Sequence, residues 1–534
     1  MRPPKTKTRD EFHVHYTDSN DVSSVEIKHA PLVQFLRDYV DDIEGIYENT
    51  PNIGIARLLG ELGSLRQAIN KTKSKVADSL LNFLEDYHSV VQREAINMIA
   101  QGKISYRYLR MLFSDGKEIA LHGPAPQGGV VKNTHYRESF FGNYFQINFE
   151  IVGSSGQGFT AINEDTVISE FKGVKNIAEL SVQPVSADMK AKLTERGQVY
   201  RDIALGNHYR QYQGFMEVYT WMGWRTLRCS GRIMVDIASY FQFKNQRGPS
   251  DLSAAVVLND ESLWMASAYI SGFSLNQKQW GRFEVSAISK IDFQKRAFDQ
   301  LVLDSAKKNL VQALVSDNNS GFSDIISGKG GGCIFLLHGE PGVGKTLTAE
   351  AVSELLERPL YMVSVGELGV NSSELEKNLR QILDVAQVWN AVILIDEADI
   401  FLEKRTPGDV VRNSLVSVFL KLLEYHQGVL FLTTNRVADF DPAFHSRISI
   451  AMHYGRLDQE ARLKIWNNLL DAAGITGINA HDLSVYALNG RQIKNTIRLA
   501  QGVARQEKLA VTHSHFMTCI GLGQQFDEQR REHQ

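Results

Sequence analysis

Apolar residues recur at helical spacing through residues 30–112. In "PLVQFLRDYVDDIEGIY", Leu32, Phe35, Leu36, Tyr39 and Val40 fall on one helical face, and "IARLLGELGSLRQAI" and "LLNFLEDYHSVVQREAINMI" continue the pattern. A mainly helical N-terminal region over residues 1–114 is predicted. Near Gly116 the character changes. "FFGNYFQINFEIVGSSGQGFTAINEDTVISEF" and "FMEVYTWMGWRTLRCSGRIMVDIASYFQF" carry short aromatic and β-branched runs broken by Gly, Asn and Asp. That composition predicts strands and turns in an α+β domain over 115–318. From Ile334 the runs "IFLL", "LYMVSV", "VILID", "VLFLTT" and "ISIAMHY" alternate with helical segments, one of them from Glu374 to Val388. Near-continuous apolar strands belong inside a parallel sheet covered on both faces, so an α/β core is expected over 319–456. Two amphipathic stretches then predict a helical segment over 457–510. Residues 511–534 read as a polar tail with a frayed end.

Composition narrows the functional classes without choosing one. A chain of 534 residues is too long for one hydrophobic core, so roughly two to four domains are expected. With 43% apolar and 22% charged residues the chain is ordinary globular protein. A net charge of −3 gives no support for bulk binding to nucleic acid or to an anionic membrane. The three cysteines, Cys229, Cys333 and Cys519, lie far apart and suit a reducing compartment. The basic, polar start is no secretory signal, and no 18-residue apolar run suggests a membrane span. An intracellular protein, cytoplasmic or nuclear, is expected.

The candidate chemistry sits in the α/β region. Gly339-Glu340-Pro341-Gly342-Val343-Gly344-Lys345-Thr346 follows an apolar strand and opens a helix, the order of a phosphate-binding loop. Lys345 is placed to reach the β and γ phosphates, and the Thr346 hydroxyl to hold Mg²⁺. "VILIDEAD" ends in Asp396 and Glu397 at a strand's carboxyl end, where open sheets bind their ligands. Asp396 would support the Mg²⁺ hydration shell and Glu397 polarise the attacking water. "LFLTTNR" ends another buried strand, and Asn435 could hydrogen-bond that water or the γ phosphate. Arg447, in "FDPAFHSRISI", offers a planar fork for a phosphate carrying developing charge.

With these motifs the chain resembles the AAA ATPase family over about residues 322–504, including "DPAF...R" and a helical segment holding "NGRQIKN". The fold implied is multidomain: an α/β P-loop NTPase (AAA) core with a C-terminal helical lid, preceded by a helical segment and an α+β N-terminal domain. By resemblance Glu397 is the catalytic glutamate, Asn435 the first sensor, Arg447 an intersubunit finger and Arg491 a lid sensor. The loop contacts would extend through Leu347, and Asp324, Ile325 and Ile326 would border the adenine. The implied cofactors are ATP and Mg²⁺. The implied partners are further copies in a homo-oligomer, a hexamer in many members, and an unknown protein client. More narrowly, residues 115–500 resemble mostly fungal AAA proteins with an uncharacterised N-terminal domain.

Two departures matter. Many protein-threading AAA rings carry an aromatic residue between the second strand and the next helix. Here that interval, "VGELGVNSSELEKN", has none, leaving Leu368 and Val370 as poor substitutes. Where many relatives have two arginines, "FHSRIS" has one. An ATP-dependent assembly switch with slow hydrolysis therefore stands beside the remodelling ATPase as a reading. Finally, "GWRTLRCSGR" interleaves Arg225, Arg228 and Arg232 with nearby Trp221 and Trp224. Such a pattern can bind nucleic acid, but a twisted strand with a charged solvent face explains it better, and a nucleic-acid partner is not expected.

Overall fold

The computed structural model describes residues 11–16, 22–40, 45–140, 142–243, 255–316, 332–369, 371–424, 426–436 and 440–532. The chain divides into two compact units. The first comprises Met1–Gly153, Ala161–Gln198 and Val256–Ser267; the second comprises Ser154–Thr160, Val199–Ala255 and Ala268–Gln534.

In the first unit, a three-stranded antiparallel sheet (Phe12–Tyr16, Val22–Ile27, Asn52–Gly54) packs with the helices Ala30–Tyr39 and Leu62–Thr72. The helical spacing from Leu32 to Leu36 does place those residues in a core, with Val25 and Ile53 of the sheet opposite. The helix Asp78–Ala100 serves two cores. Leu80 and Leu84 face this first core, while Ala95 joins a second one built on the strands Glu118–Leu121, Gln127–Arg137 and Tyr144–Ser154. Tyr108, Leu109 and Phe113 belong to that second core with Ile119, Phe145 and Phe149. The boundary expected at residue 114 thus cuts through one continuous core.

The second unit holds two sheets and a helical cluster. Strands Asn207–Thr220, Gly223–Asp236, Tyr269–Ser274 and Gln279–Glu284 pair antiparallel around a closed circuit, the last returning to the first through Met216↔Phe283 and Glu217↔Arg282. This small barrel shares a core with the α/β region. Its Met234 and Phe273 pack with Trp389, Leu375 and Ile393. The buried Asp236 carboxylate accepts a hydrogen bond from Trp389 Nε1 at 2.7 Å. Residues 207–284 and the α/β core are therefore one packed body rather than the two domains expected to meet at residue 318. Composition cannot reveal this, because the shared core joins residues more than 150 positions apart.

The α/β region is a five-stranded parallel sheet in the order Leu360–Val363, Val392–Ile395, Val429–Thr434, Cys333–Gly339, Ile450–Tyr454. Alternate residues of each strand face different helical layers. Ile334, Leu336, Ile393, Ile395, Leu430 and Leu432 meet the helices Ser372–Val388 and Val410–Glu424 on one face. Phe335, Leu337, Leu394 and Phe431 meet the helix Lys345–Leu355 on the other. Both faces are dry, hence the unbroken apolar runs. Each such side chain contributes roughly 1.5–3 kcal/mol on burial.

A cluster of four helices follows: Gln459–Ala472, Ala480–Ser484, Gly490–Glu507 and His513–Glu532. The expected polar tail is the last of these. Phe516 and Ile520, one turn apart, are buried against Trp466, Leu483 and Ile497. Phe516 and Ile520, with the partly buried Met517 and Cys519 beside them, dock it. No described helix is long and apolar enough to cross a membrane.

Candidate functional site

The first core strand, Cys333–Gly339, delivers the chain into a tight loop that ends at the helix Lys345–Leu355. Two glycines make the turn possible. A Cβ on Gly339 would lie 2.2 Å from the Tyr454 carbonyl oxygen, and one on Gly342 (φ +82°) 2.7 Å from Asn489 Cγ. Lys345, 7% exposed, folds back on the loop, and its Nζ donates to the Gly339 (2.7 Å) and Glu340 (2.9 Å) carbonyls and to Asn435 Oδ1 (2.9 Å). Burial lowers the Lys345 pKa, while Asp396 and Asp399 oppose that shift by favouring the ammonium. The Thr346 hydroxyl stands 3.4 and 3.5 Å from the two Asp396 oxygens.

Asp396 and Glu397 follow the fully buried strand Val392–Ile395. Glu397 has φ +55°, a left-handed conformation that a side-chain-bearing residue holds only where its surroundings impose it. Here the neighbouring strand does so. Thr433 Oγ1 accepts from the Glu397 amide at 3.0 Å and donates to Asp396 Oδ1, and the Thr433 carbonyl accepts from the Ala398 amide at 2.9 Å. One step along, Asp399 Oδ1 accepts from the Thr434 hydroxyl and from the Asn435 amide (3.3 Å). Thr433, Thr434 and Asp399 thus aim the two acids and the asparagine. In the sequence these residues stand within "LFLTTNR" and "VILIDEAD" without a legible role, since a hydroxyl inside a strand gives no sign of which face it serves.

The C-terminal helical cluster touches the loop directly. The Gly490 amide donates to the Gly342 carbonyl at 2.9 Å, and Asn489 caps the helix Gly490–Glu507 through a reciprocal bond pair with Gln492. Arg491, in the first turn of that helix, is close enough to disfavour the charged form of Lys345. Val343 packs on the core beside the loop, whereas Pro341 and Leu347 face outward. Arg447 is held apart from this group. Its guanidinium donates to the Ala443 carbonyl (2.9 Å) and to Glu424 Oε2 (3.1 Å), neither of them in the phosphate loop. Asp324, Ile325 and Ile326 lie outside the described residues, as does Val370. Leu368, considered as a stand-in for the absent aromatic, is wholly buried in the core. Its neighbour Glu367 is paired with Lys278 of the barrel, and the Glu367 carbonyl accepts from Asn378 Nδ2 at 3.0 Å.

The donor set suits a magnesium–nucleotide pair: a loop followed by free helix amides, one ammonium, and a hydroxyl beside a carboxylate, all hard oxygen or N–H groups. The comparisons agree with this chemistry. Residues 335–456 match the family model described as ATPase family associated with various cellular activities (AAA). Residues 94–188 match a domain of unknown function, DUF7025. Among curated proteins the chain is similar to human ATPase family AAA domain-containing protein 3B, with 27% identity over 191 residues. That match covers 33% of this chain and 29% of the human protein. It is also similar to Arabidopsis thaliana ATPase family AAA domain-containing protein FIGL1, 28% identical over 177 residues, or 30% of this chain and 26% of the plant protein. The matched stretch thus spans less than a third of either relative.

Proposed function

We propose that this protein hydrolyses ATP and uses the cycle, from an oligomeric ring, to remodel a protein or a protein complex. The observation that carries the hydrolytic part is the convergence of Lys345, Thr346, Asp396, Glu397 and Asn435 at the carboxyl ends of three adjacent parallel strands. On ATP binding, Lys345 exchanges its two loop carbonyls for phosphate oxygens. Thr346 and Asp396 would hold Mg²⁺, which would supply neutralisation of the phosphate charge. Glu397 accepts a proton from the attacking water, and Asn435, released from Lys345, orients that water. Arg491 approaches the γ phosphate from the lid. Arg447 acts on the site of the adjacent subunit after leaving Glu424, so turnover depends on assembly.

The test is Glu397→Gln, which keeps the shape of the side chain and removes the base. Binding of a fluorescent ATP analogue should persist while steady-state phosphate release falls by at least about 100-fold. Equal rates for the variant and the wild type would refute the assignment.

A second reading, an assembly switch without threading, draws on the segment after Val365. Leu368 is buried and Glu367 is tied to Lys278, so this stretch has little freedom to follow a polypeptide through a pore. Light scattering without nucleotide, with ADP and with ATP separates the two. A large change of mass accompanied by turnover slower than about one per minute favours the switch.

A further inference from the structure

The barrel of the second unit carries a feature that ATP hydrolysis does not use. Its two longest strands, Asn207–Thr220 and Gly223–Asp236, pair in register along their whole length, but the other barrel strands reach this hairpin at Glu217 and no nearer its turn. Among the described residues, Val218 to Arg225 pair only with each other; Val218 is still buried, and beyond it Tyr219 to Trp224 form an exposed two-stranded end.

Apolar residues cover that end. Trp221 and Met222 form the turn itself and are 92% and 74% exposed. Tyr219 and Trp224 stand directly behind them, half-exposed, with rings in edge contact at 5.2 Å. Phe215, 61% exposed, continues the same ribbon face. A contiguous set of large exposed apolar residues is unusual on a soluble surface and marks a contact site.

The unpaired charges on the described part of the hairpin end have one sign. Arg225 and Arg228 are exposed and make no ion pair among the described residues. At about 3.4 Å per residue they stand roughly 10 and 20 Å behind the turn. Glu217 is the sole carboxylate between His208 and Val235, and Arg282 neutralises it at 2.6 Å while laying its guanidinium over Trp224 at 3.7 Å. Arg232, grouped with these arginines in the sequence, is not part of the surface set, because it is paired with Glu354 of the phosphate-loop helix.

Outward from the barrel, Arg228 lies level with Phe215, Arg225 level with the buried Val218, then come Tyr219 and Trp224, and Trp221 and Met222 form the tip. That is the order of layers a lipid leaflet presents: anionic headgroups, an interfacial zone that accepts amphipathic rings, and hydrocarbon. We infer that this hairpin is a membrane-surface anchor that inserts Trp221 and Met222 into the interface of an anionic bilayer, with Arg225 and Arg228 on the lipid headgroups. Single-stranded nucleic acid, the other partner for aromatics beside arginines, fits less well. A methionine at the tip offers no stacking plane, and the unpaired cations lie behind the rings rather than along a groove. The overall charge of −3 does not oppose the assignment, since local charge decides contact within one Debye length. Two arginines and one tip bind weakly. Several tips on one assembly would bind tightly through their high effective concentration.

The experiment is co-sedimentation of the full chain with vesicles of phosphatidylcholine, with and without 30 mole per cent (about one lipid in three) phosphatidylserine. Wild type should pellet with the anionic vesicles and about tenfold less with neutral ones. The double variant Trp221→Ser, Met222→Ser should stay in the supernatant, with its lipid-free ATPase rate and far-UV circular dichroism unchanged. Arg225→Ser with Arg228→Ser should abolish the preference for phosphatidylserine. Equal pelleting of the tip variant and the wild type would overturn the inference, as would no wild-type binding to either vesicle. Tip-dependent binding of a fluorescent (dT)20 oligonucleotide without vesicle binding would reassign the hairpin to nucleic acid.

Discussion

Replacing Thr433 by valine isolates the device that aims Asp396 and Glu397. Thr433 is 1% exposed, and its hydroxyl does two things: it accepts from the Glu397 amide at 3.0 Å and donates to Asp396 Oδ1. Valine fills nearly the same volume, so Thr433→Val removes hydrogen bonds without opening a cavity. The neutral bond is worth about 1 kcal/mol and the one to a carboxylate about 1.5–3 kcal/mol. Without them, nothing on this strand's side chains opposes relaxation of Glu397 from φ +55°, a conformation that costs on the order of 1–2 kcal/mol. If about 1.5–3 kcal/mol of this falls on the transition state, kcat drops by roughly 10- to 100-fold. KM for ATP should stay within about twofold, because Lys345 and the loop amides are untouched. The Mg²⁺ concentration for half-maximal rate should rise, because Asp396 loses a fixed partner. Steady-state phosphate release against ATP and against Mg²⁺ measures all three quantities. Thr433→Ser should restore most of kcat. A valine variant with wild-type kcat, or one whose KM rises while kcat holds, would refute the reasoning.

Other consequences follow from groups outside the loop. Trp389→Phe keeps the ring packing against Phe273 and Trp280 but strips a donor from the buried Asp236 carboxylate, leaving it the Ser239 amide at 2.9 Å. The second unit should lose about 2–3 kcal/mol of stability, seen as a lower calorimetric transition, and a change below about 0.5 kcal/mol would show that the barrel is not tied to the core at this point. Asp441 is held down to a pKa of about 2 chiefly by its hydrogen bonds from Arg405. A depressed carboxyl pKa stabilises the fold above the unfolded value of 3.8, and that contribution fades as pH falls toward about 2. Arg405→Ala should therefore flatten the stability profile between those pH values. Because Arg405 is 44% exposed, solvent screening limits the effect to on the order of 1 kcal/mol. Urea melts at pH 5, 4 and 3 test this, and an unchanged slope would contradict it.

Much of the α/β region can be read from the chain, because its signals are local. The phosphate loop is contiguous, its strand is an unbroken apolar run, and Asp396 and Glu397 end another. Each needs only neighbours in sequence to be recognised. The helical spacing around Leu32–Leu36 is legible for the same reason. The small sheet of Phe12–Tyr16, Val22–Ile27 and Asn52–Gly54 is not, since strands of three to six residues carry too few alternations to outweigh helical neighbours. The final helix is missed because its buried face rests on few apolar residues, Phe516 and Ile520 among them.

The amino-acid order by itself determines a nucleotide-type loop, the acids opposite it and the parallel sheet that joins them, since spacing and periodicity specify local conformation. Tertiary structure alone decides which groups aim that chemistry and where the bodies of the protein divide. Thr433 serves Glu397 across 36 positions, Asn489 meets Gly342 from the C-terminal helical cluster, and Asp236 joins Trp389 across 153. No pattern in a one-dimensional string marks such pairs. They exist because parallel strands and packed layers bring distant residues within hydrogen-bonding reach, where burial makes an unpaired partner costly. The projecting tip at Trp221 is of the same kind: its composition was visible in the chain, but its exposure follows from which strands stop short of it.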